Sequence, residues 1–520
     1  MDAIALSLFV SRMEAICEEM GSVLRRTAFS PNIKDRLDYS CALFDAAGEL
    51  CAQAAHIPVH LGSMAYAMSD LVNSLRWCEG DVVILNDPYL GGTHLPDVTI
   101  IAPVIQAGQL QGFVVNRAHH ANIGADSPGS MPLSTSLEQE GIIISPRYLL
   151  RQGRLDEDTF AMLKSLLPGE VSGSGGPGRL SGDIAAQVSS VKVGGQRLQE
   201  LIKLMGTDVF TAFLHQLNEY GARMAETALL EIPDGQYRFN DVMDDDGAGN
   251  QAIVIAACVR VNQGVVGVDF AGTSAQVSGN INCPLAVTAA AVYYVFRCLM
   301  PDHTPACAGI FRSITIQAPA GSLVNARRPA AVAAGNVETS TRIVDVVLGA
   351  LQQALPDRIP AASQGTMNNI AMGVASTGRR WDYYETLAGG MGGGPGFDGA
   401  SARHSHMTNT LNTPVESIEM HYPVRIIHYA LRRGSGGSGR HKGGDGLIRE
   451  YEFLEPASVS LLTERRSNAP WGIAGGGHGM RGINRLNGTR LAGKVQLNVV
   501  TGDRLVIETP GGGGWGSVQP

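Results

Sequence analysis

Apolar side chains recur at helical spacing from the start of the chain. Ile4, Leu8, Ile16, Met20, Val23 and Leu24 predict a long amphipathic helix over residues 3–28. The period then shortens: Leu37, Tyr39, Cys41 and Leu43 fall on alternate positions, as in a strand, and Ala46-Ala47-Gly48 supplies the turn after it. Residues 61–78 return to a helical pattern. DVVILND (81–87) reads as a buried strand closing on Asn-Asp-Pro, and VTIIAPVI and GFVVNRAHH read as two more strands separated by the turn QAGQLQ. The Gly/Ser/Pro-rich stretch 168–183 predicts a loop, and helix follows to about residue 230. From about 233 strands dominate (YRFNDVMDDDG, AIVIAACVRV, GVVGVDF), with helices expected near 285–299 and 340–354. Beyond 360, glycine becomes dense and strand-like segments run to the end. The pattern predicts a multi-domain α+β fold. Its parts are an N-terminal α/β region (1–232), a mixed middle region (233–360) and a glycine-rich, β-rich C-terminal region (361–520).

Composition narrows the functional classes. With 520 residues, 44% of them hydrophobic, the chain can bury several cores. Charged residues make up 17%, below the roughly 25% usual for soluble proteins, which favours a large subunit interface over a merely well-buried monomer. The net charge of −8 comes without any basic stripe, so nucleic acid is not an expected partner. No apolar run is long enough to span a membrane. The N-terminal helix has no basic lead and carries Glu14, unlike a signal peptide. The eight cysteines form no CxxC pair, which disfavours zinc-finger and thioredoxin chemistry and predicts a reduced, cytoplasmic protein. Glycine, at 64 residues, shows no fixed period, so tight turns and close backbone approaches are expected rather than a solenoid.

The chemistry concentrates in NDPYLGGTHLPDVT (86–99) and RAHHANIGADSPGSMP (117–132). His94 and Asp97 sit three apart in a Gly-rich loop after a buried strand. His119 and His120 close another strand, and neighbouring strands would bring these ends together. Imidazole and carboxylate suit divalent zinc, manganese or iron. Asp35, Asp38, Asp87, His56 and His60 are candidates for a further ligand; Asp35 and Asp38 flank Arg36 and equally suit an ion pair. His120 is a candidate general acid/base, since histidine titrates near neutrality. Other patterns are weaker. GSGGPG (173–178) and GSGGSG (434–439) match the dinucleotide formula but do not join a strand to a helix. The polar stretch 406–423 reads either as a pocket wall or as a capped loop, and Glu464-Arg465-Arg466 either as an anion site or as a salt bridge. No phosphate loop of the GxxxxGK[ST] type, no HExxH and no GxSxG elbow occurs.

Seven segments, in order, resemble the hydantoinase B/5-oxoprolinase family over about residues 3–517. They are RLDYSCALFDAAGELCAQAAHIPVHLGSM, NDPYLGGTHLPDVT, HHANIGADSPGSMP, GNVETSTRIVD, GGDGLIREYEF, LLTERRSNAPWG and TPGGGGWG. The resemblance implies a B-type subunit that pairs with an A-type subunit of actin-like ATPase fold, in a hetero-oligomer such as α2β2. ATP and magnesium are expected on that partner, which would activate a carbonyl by phosphorylation. The resemblance puts the metal ligands of this chain at Asp35, His94, Asp97 and His119, with many relatives carrying Glu where Asp35 stands and Asp38 close by. The implied substrate is a small cyclic amide: a hydantoin, 5-oxoproline or a lactam. Ketone carboxylation of the acetone or acetophenone type is the alternative activity, and a non-catalytic scaffold for the ATPase is a third.

Overall fold

The structure, a computed structural model, describes residues 3–54, 56–166, 180, 182–374 and 381–518. Most of the loop expected at 168–183, including GSGGPG, lies outside the described residues. Among the described residues the helices are α1 (Ala3–Thr27), α2 (Pro31–Lys34), α3 (Pro58–Asn73), α4 (Glu157–Leu166), α5 (Gly182–Met205), α6 (Thr207–Leu229), α7 (Leu285–Leu299), α8 (Ser340–Leu351) and α9 (Val415–His421). A π-helical turn, Gly335–Thr339, leads directly into α8. Among the described residues the architecture is mixed, with four separate sheets, consistent with an α+β fold.

The first sheet positions the site. Its strands are β1 (Tyr39–Asp45), β2 (Leu50–Gln53), β3 (Val82–Leu85), β4 (Asp97–Gln106), β5 (Gln109–His119), β6 (Arg147–Arg151) and β7 (Arg154–Leu155). They pair in the order β2-β1-β5-β4-β3-β6-β7. Successive strand residues point to opposite faces, and both faces here are buried. Ala42, Phe44, Val83, Ile101, Phe113 and Val115 pack against Leu61, Met64 and Met68 of α3. Cys41, Leu43, Ile84, Ile100 and Val114 face the side covered by α1 and α5. Each such aliphatic or aromatic side chain, fully buried, stabilises the fold by about 1.5–3 kcal/mol.

Two boundaries differ from the sequence-based expectation. The helix expected at 61–78 is α3, Pro58–Asn73. Pro58 presets the first helical turn, and the Trp77 indole N–H, 2.9 Å from the Val72 carbonyl, caps the end and turns the chain away. Leu37 is not in β1: it adopts φ 57°, a left-handed turn between α2 and the strand.

The second sheet comprises β8 (Gly235–Asp245), β9 (Gln251–Asn262), β10 (Val265–Asp269) and β11 (Ile314–Gln317). The largest apolar cluster runs from Phe9 through this sheet, α7 and α8 to Tyr384 and Leu462. The third sheet is β13-β12-β16-β19, formed by β12 (Asn369–Val374), β13 (Trp381–Thr386), β16 (Ala457–Leu462) and β19 (Lys494–Val499). The fourth is β14-β15-β20-β17-β18, formed by β14 (Val424–Arg432), β15 (Gly446–Phe453), β17 (Ile483–Leu486), β18 (Thr489–Leu491) and β20 (Arg504–Glu508). Ile370, Met372, Tyr451, Val459 and Ile507 close a core between these two sheets.

Beside them, residues 389–394, 436–444, 472–479 and 511–514 lie backbone against backbone. Gly393 N–H donates to Gly513 O, Gly437 N–H to Gly512 O, Gly512 N–H to Gly444 O and Gly514 N–H to Gly477 O. A Cβ at Gly392, Gly512 or Gly513 would run into the carbonyls of Ala361, Met391 or Trp471, so only glycine fits there.

Candidate metal centre

Asp97 opens β4 and His119 closes β5, and the register sets the two residues directly opposite each other. Their neighbours Thr99 and Arg117 lie on the α3 face, where Arg117 donates to Thr99 Oγ1 and to Ser63 Oγ of α3. His94 arrives from the glycine loop after β3. Gly91 takes φ 102° and a Cβ on Gly92 would meet the carbonyls of Asn86 and Asp87, so the loop can fold this tightly only with glycine at both positions. One ligand atom from each of His94, Asp97 and His119 lies within 4.8 Å of the other two. All three residues are buried, at 0%, 0% and 2% exposure.

The hydrogen bonds leave each of them one atom to spare. His94 Nδ1 lies 3.3 Å from the Ala333 carbonyl, which can only accept, so in the neutral ring that nitrogen carries the proton and Nε2 keeps its lone pair. Asp97 Oδ2 collects Thr93 Oγ1, Asn336 Nδ2 at 3.4 Å and His60 Nε2 at 3.2 Å. His94 Nε2 is also 3.2 Å from that oxygen but is not aligned as a hydrogen bond. Asp97 Oδ1 has no partner, nor do His94 Nε2 and His119 Nε2. His119 Nδ1 meets the Asn32 amide at 3.1 Å. With Asn32 Nδ2 donating and its Oδ1 accepting from Arg36 Nη1 at 3.4 Å, the ring proton sits on Nε2; turning the amide over places Oδ1 against Nδ1–H and frees Nε2 for an ion, with loss of the Arg36 contact.

Three residues that bring ligand atoms within 4.8 Å of one another from two strands and a loop, each with one buried N or O atom unpartnered, are a donor set that fits a divalent cation. The charge states of Asp97 and His119 agree, while that of His94 requires its Nε2 proton to leave when an ion binds. Burial alone would lift Asp97, but His60 and His94 outweigh it and hold the carboxylate well below its usual range. Burial, reinforced by repulsion from His94, drives His119 well below the ordinary histidine value and keeps it neutral. Burial opposes charge on His94 too, yet Asp97 and Asp38 raise it overall.

The other sequence candidates are distributed differently. Asp35 caps α2 and is not brought to this cluster: its Oδ2 reaches Ser417 Oγ of α9, at 3.5 Å. The left-handed turn at Leu37 separates it from Asp38, whose Oδ1 is 4.0 Å from His60 Nε2 and whose carboxyl interacts with Asp97 and His94. Asp38 also lies outside the 4.8 Å cluster, but it borders it. His120, expected beside His119, faces the other side of the sheet: its Nε2 lies 2.9 Å from Gln187 Oε1 of α5, because adjacent residues at a strand end straddle the sheet. Asp87 accepts the Tyr89 N–H and pairs with Arg328. His56 accepts the Cys41 N–H and is lowered to about 4 by burial.

Several residues around the cluster are not marked by the sequence pattern. Tyr384 of β13 stacks on His119, with centroids 4.6 Å apart. Asn336, on the π-helical turn, touches Asp97 and keeps Oδ1 unpartnered. Glu140 sits beneath Ala333 and is raised to about 7, chiefly by burial. Asn336 lies inside GNVETSTRIVD, so its motif was visible although its neighbour was not; nothing in the sequence marked Glu140.

This fold is shared with a solved structure, that of an ATP-dependent caprolactamase from Pseudomonas jessenii. The match has a TM-score of 0.90 at 28% identity and covers 99% of this chain and 91% of that one. The hydantoinase B/oxoprolinase family model matches residues 2–518, and the chain belongs to that family. It is 40% identical to 5-oxoprolinase 1 of Arabidopsis thaliana over 99% of its own length and 42% of the relative's. It is 31% identical to a Pseudomonas sp. protein named as the B-type component of a D-/L-hydantoinase, covering 99% of this chain and 90% of that one. The chain thus spans about two fifths of the curated 5-oxoprolinases it matches, 42% and 40% in two of them. Among the described residues no helix is long and apolar enough to cross a membrane.

Proposed function

We propose that this chain is the B-type, metal-dependent component of an ATP-dependent cyclic-amide hydrolase that opens a hydantoin, 5-oxoproline or lactam ring. The observation that carries the reading is the convergence of His94, Asp97 and His119, each with a buried ligand atom left over, in a chain of this family. Asp38, which borders the cluster beside His60, is the carboxylate assigned to a fourth position, in place of Asp35. A divalent ion bound there, zinc, manganese or iron, supplies Lewis acidity to the reacting carbonyl.

The chain's own residues do the rest by placement. An amide is a poor electrophile, so activation by phosphorylation on an A-type, ATP- and magnesium-binding partner precedes the step at this site. Thr93, His60 and Asn336 hold Asp97 through Oδ2, which fixes where Oδ1 points. The Ala333 carbonyl fixes the His94 tautomer, and near-complete burial of the ligands limits the water that can compete. His120, held by Gln187 across the sheet, supports β5 rather than moving the reacting proton. A hetero-oligomer with the partner, in the cytoplasm, completes this reading.

Co-expression with an A-type ATPase subunit tests it. The complex is screened against hydantoins, 5-oxoproline, lactams and acetone, following ADP release and product mass with and without bicarbonate. A ring-opened product heavier by one water supports the hydrolase; a bicarbonate-dependent gain of carbon dioxide supports the ketone carboxylase; and full turnover in verified metal-free protein removes both.

A further inference from the structure

The segment running into the π-helical turn crosses over the metal loop and is tied to it at several points. Arg328 pairs with Asp87, the Tyr89 hydroxyl donates to the Ala330 carbonyl at 2.8 Å, and Asn336 reaches Asp97. The contact that matters most to a ligand is at Ala333, whose carbonyl receives His94 Nδ1–H. The peptide that carries this carbonyl is held by the Ala334 N–H, which donates to the Asn280 carbonyl at 3.0 Å, and its aim depends also on how the two preceding peptides are held. Here the strap is held from below by a side chain with no other evident task.

Glu140 is fully buried, at 0% exposure. Its Oε1 accepts the N–H of Val332 and of Ala333, both at 2.9 Å, and the Ser134 hydroxyl at 2.7 Å. Its Oε2 has no partner. A buried carboxylate with three donors on one oxygen and none on the other is costly as simple packing, because a buried acceptor left unpaired loses its hydration without return. What the arrangement does provide is a fixed position for two consecutive amides of the strap, one residue of which carries the carbonyl that orients His94.

We infer that Glu140 is a positioning residue for the metal centre: through the 332–333 backbone it holds the Ala333 carbonyl against His94 Nδ1 and so presents His94 Nε2 to the ion. This rests on the metal-centre reading above. It goes beyond that reading by assigning a residue that touches no ligand atom and belongs to a different element. Partners that orient metal-bound histidines typically change metal affinity 10–100-fold when removed, which sets the size of the effect.

The test uses full-length chain stripped of metal, with Zn2+ titrated against a chromophoric chelator and the fold of each metal-free variant first checked by circular dichroism. Glu140→Ala is expected to bind Zn2+ about 10–100-fold more weakly than wild type. Glu140→Gln keeps an oxygen for the three donors and is expected to recover most of that loss, whereas Glu140→Met fills the space without that oxygen and is expected to bind as weakly as the alanine variant, a ranking that mere loss of packing does not produce. Should the alanine variant not fold, Glu140→Asp carries the test: it keeps the charge but is one methylene too short to hold both amides, and weakened binding is again expected. Wild-type affinity in the folded alanine or aspartate variant overturns the assignment while leaving the metal centre intact. A wild-type chain that binds no Zn2+ overturns both.

Discussion

The ring of Tyr384 lies flat on the ring of His119, 8° from parallel with centroids 4.6 Å apart. One residue comes from the third sheet and the other from the first, so the contact couples the C-terminal half of the chain to a candidate ligand. The Tyr384 hydroxyl is spent elsewhere, donating to Asn369 Oδ1 at 2.8 Å. Tyr384→Phe should therefore keep the stack and cost only the unpaired Asn369 oxygen, about 1–3 kcal/mol. Tyr384→Ala should cost about 3–5 kcal/mol, as large-to-small aromatic substitutions in cores do, and should also loosen the metal. Denaturant melts and metal analysis of both variants check this; equal metal affinity in the two would separate His119 from the stack.

The triad makes the sharpest prediction. His94→Ala, His119→Ala and Asp97→Asn should each abolish stoichiometric metal in the purified complex and, with it, ATP-coupled turnover. The carboxylate question is settled by a pair: Asp38→Asn should weaken metal binding by at least the roughly 10–100-fold that loss of an outer partner causes, and Asp35→Asn should leave it near wild type. The reverse order, measured by elemental analysis and chelator competition, would return Asp35 to the ligand set.

Much of this centre was legible because it rests on local rules. His94 and Asp97 share one loop, and the hairpin carrying His119 announces itself by two apolar runs around the Ala107-Gly108 turn; β4 and β5 fall where the pattern puts them. What was not legible depends on sidedness and long-range contact. His119 and His120 look equivalent in the sequence, yet the pleat sends one to the α3 face and the other to Gln187. Asp35 and Asp38 look equivalent until Leu37 turns left-handed between them. Tyr384, Glu140 and Asn336 reach the site from three further parts of the chain, and no periodicity links residues that only packing brings together.

Glu338 should shape the response to pH. It is buried, its Oε1 accepts Met367 N–H and Asn369 Nδ2–H, and its Oε2 has no partner. Burial, with Glu464 adding to it, raises its carboxyl from 4.5 to about 8. Because the folded value is the higher one, folding takes up a proton between these limits. The stabilising contribution is complete below about pH 4.5 and is lost as pH rises through about 8. Glu338→Gln removes this titration and should flatten the melting temperature between pH 5 and 9, leaving the variant more stable than wild type at the alkaline end. Parallel melting curves for the two proteins across that range would refute the assignment.

Substitution in the glycine backbone bundle should be severe although no side chain is lost. Gly513→Ala places a methyl group on the Trp471 carbonyl and Gly392→Ala places one on that of Ala361. Neither acceptor is a movable side chain, so each variant should lose more than the ~1 kcal/mol that separates glycine from alanine in ordinary regular structure, and in the opposite direction. Exposed Gly488, which adopts φ 81° with open space around it, is the control: Gly488→Ala should cost only backbone strain. Soluble yield and melting temperature read the difference.

That bundle also decides where amide protons are locked away. Gly393, Gly437, Gly443, Gly512, Gly513 and Gly514 belong to neither helix nor ladder, yet each donates inward to another main-chain oxygen. Deuterium uptake there should be among the slowest in the chain. Since Gly513 N–H is held by the Ala362 carbonyl, those protons should be released only when the segment around Ala362 and the terminal glycine run come apart together.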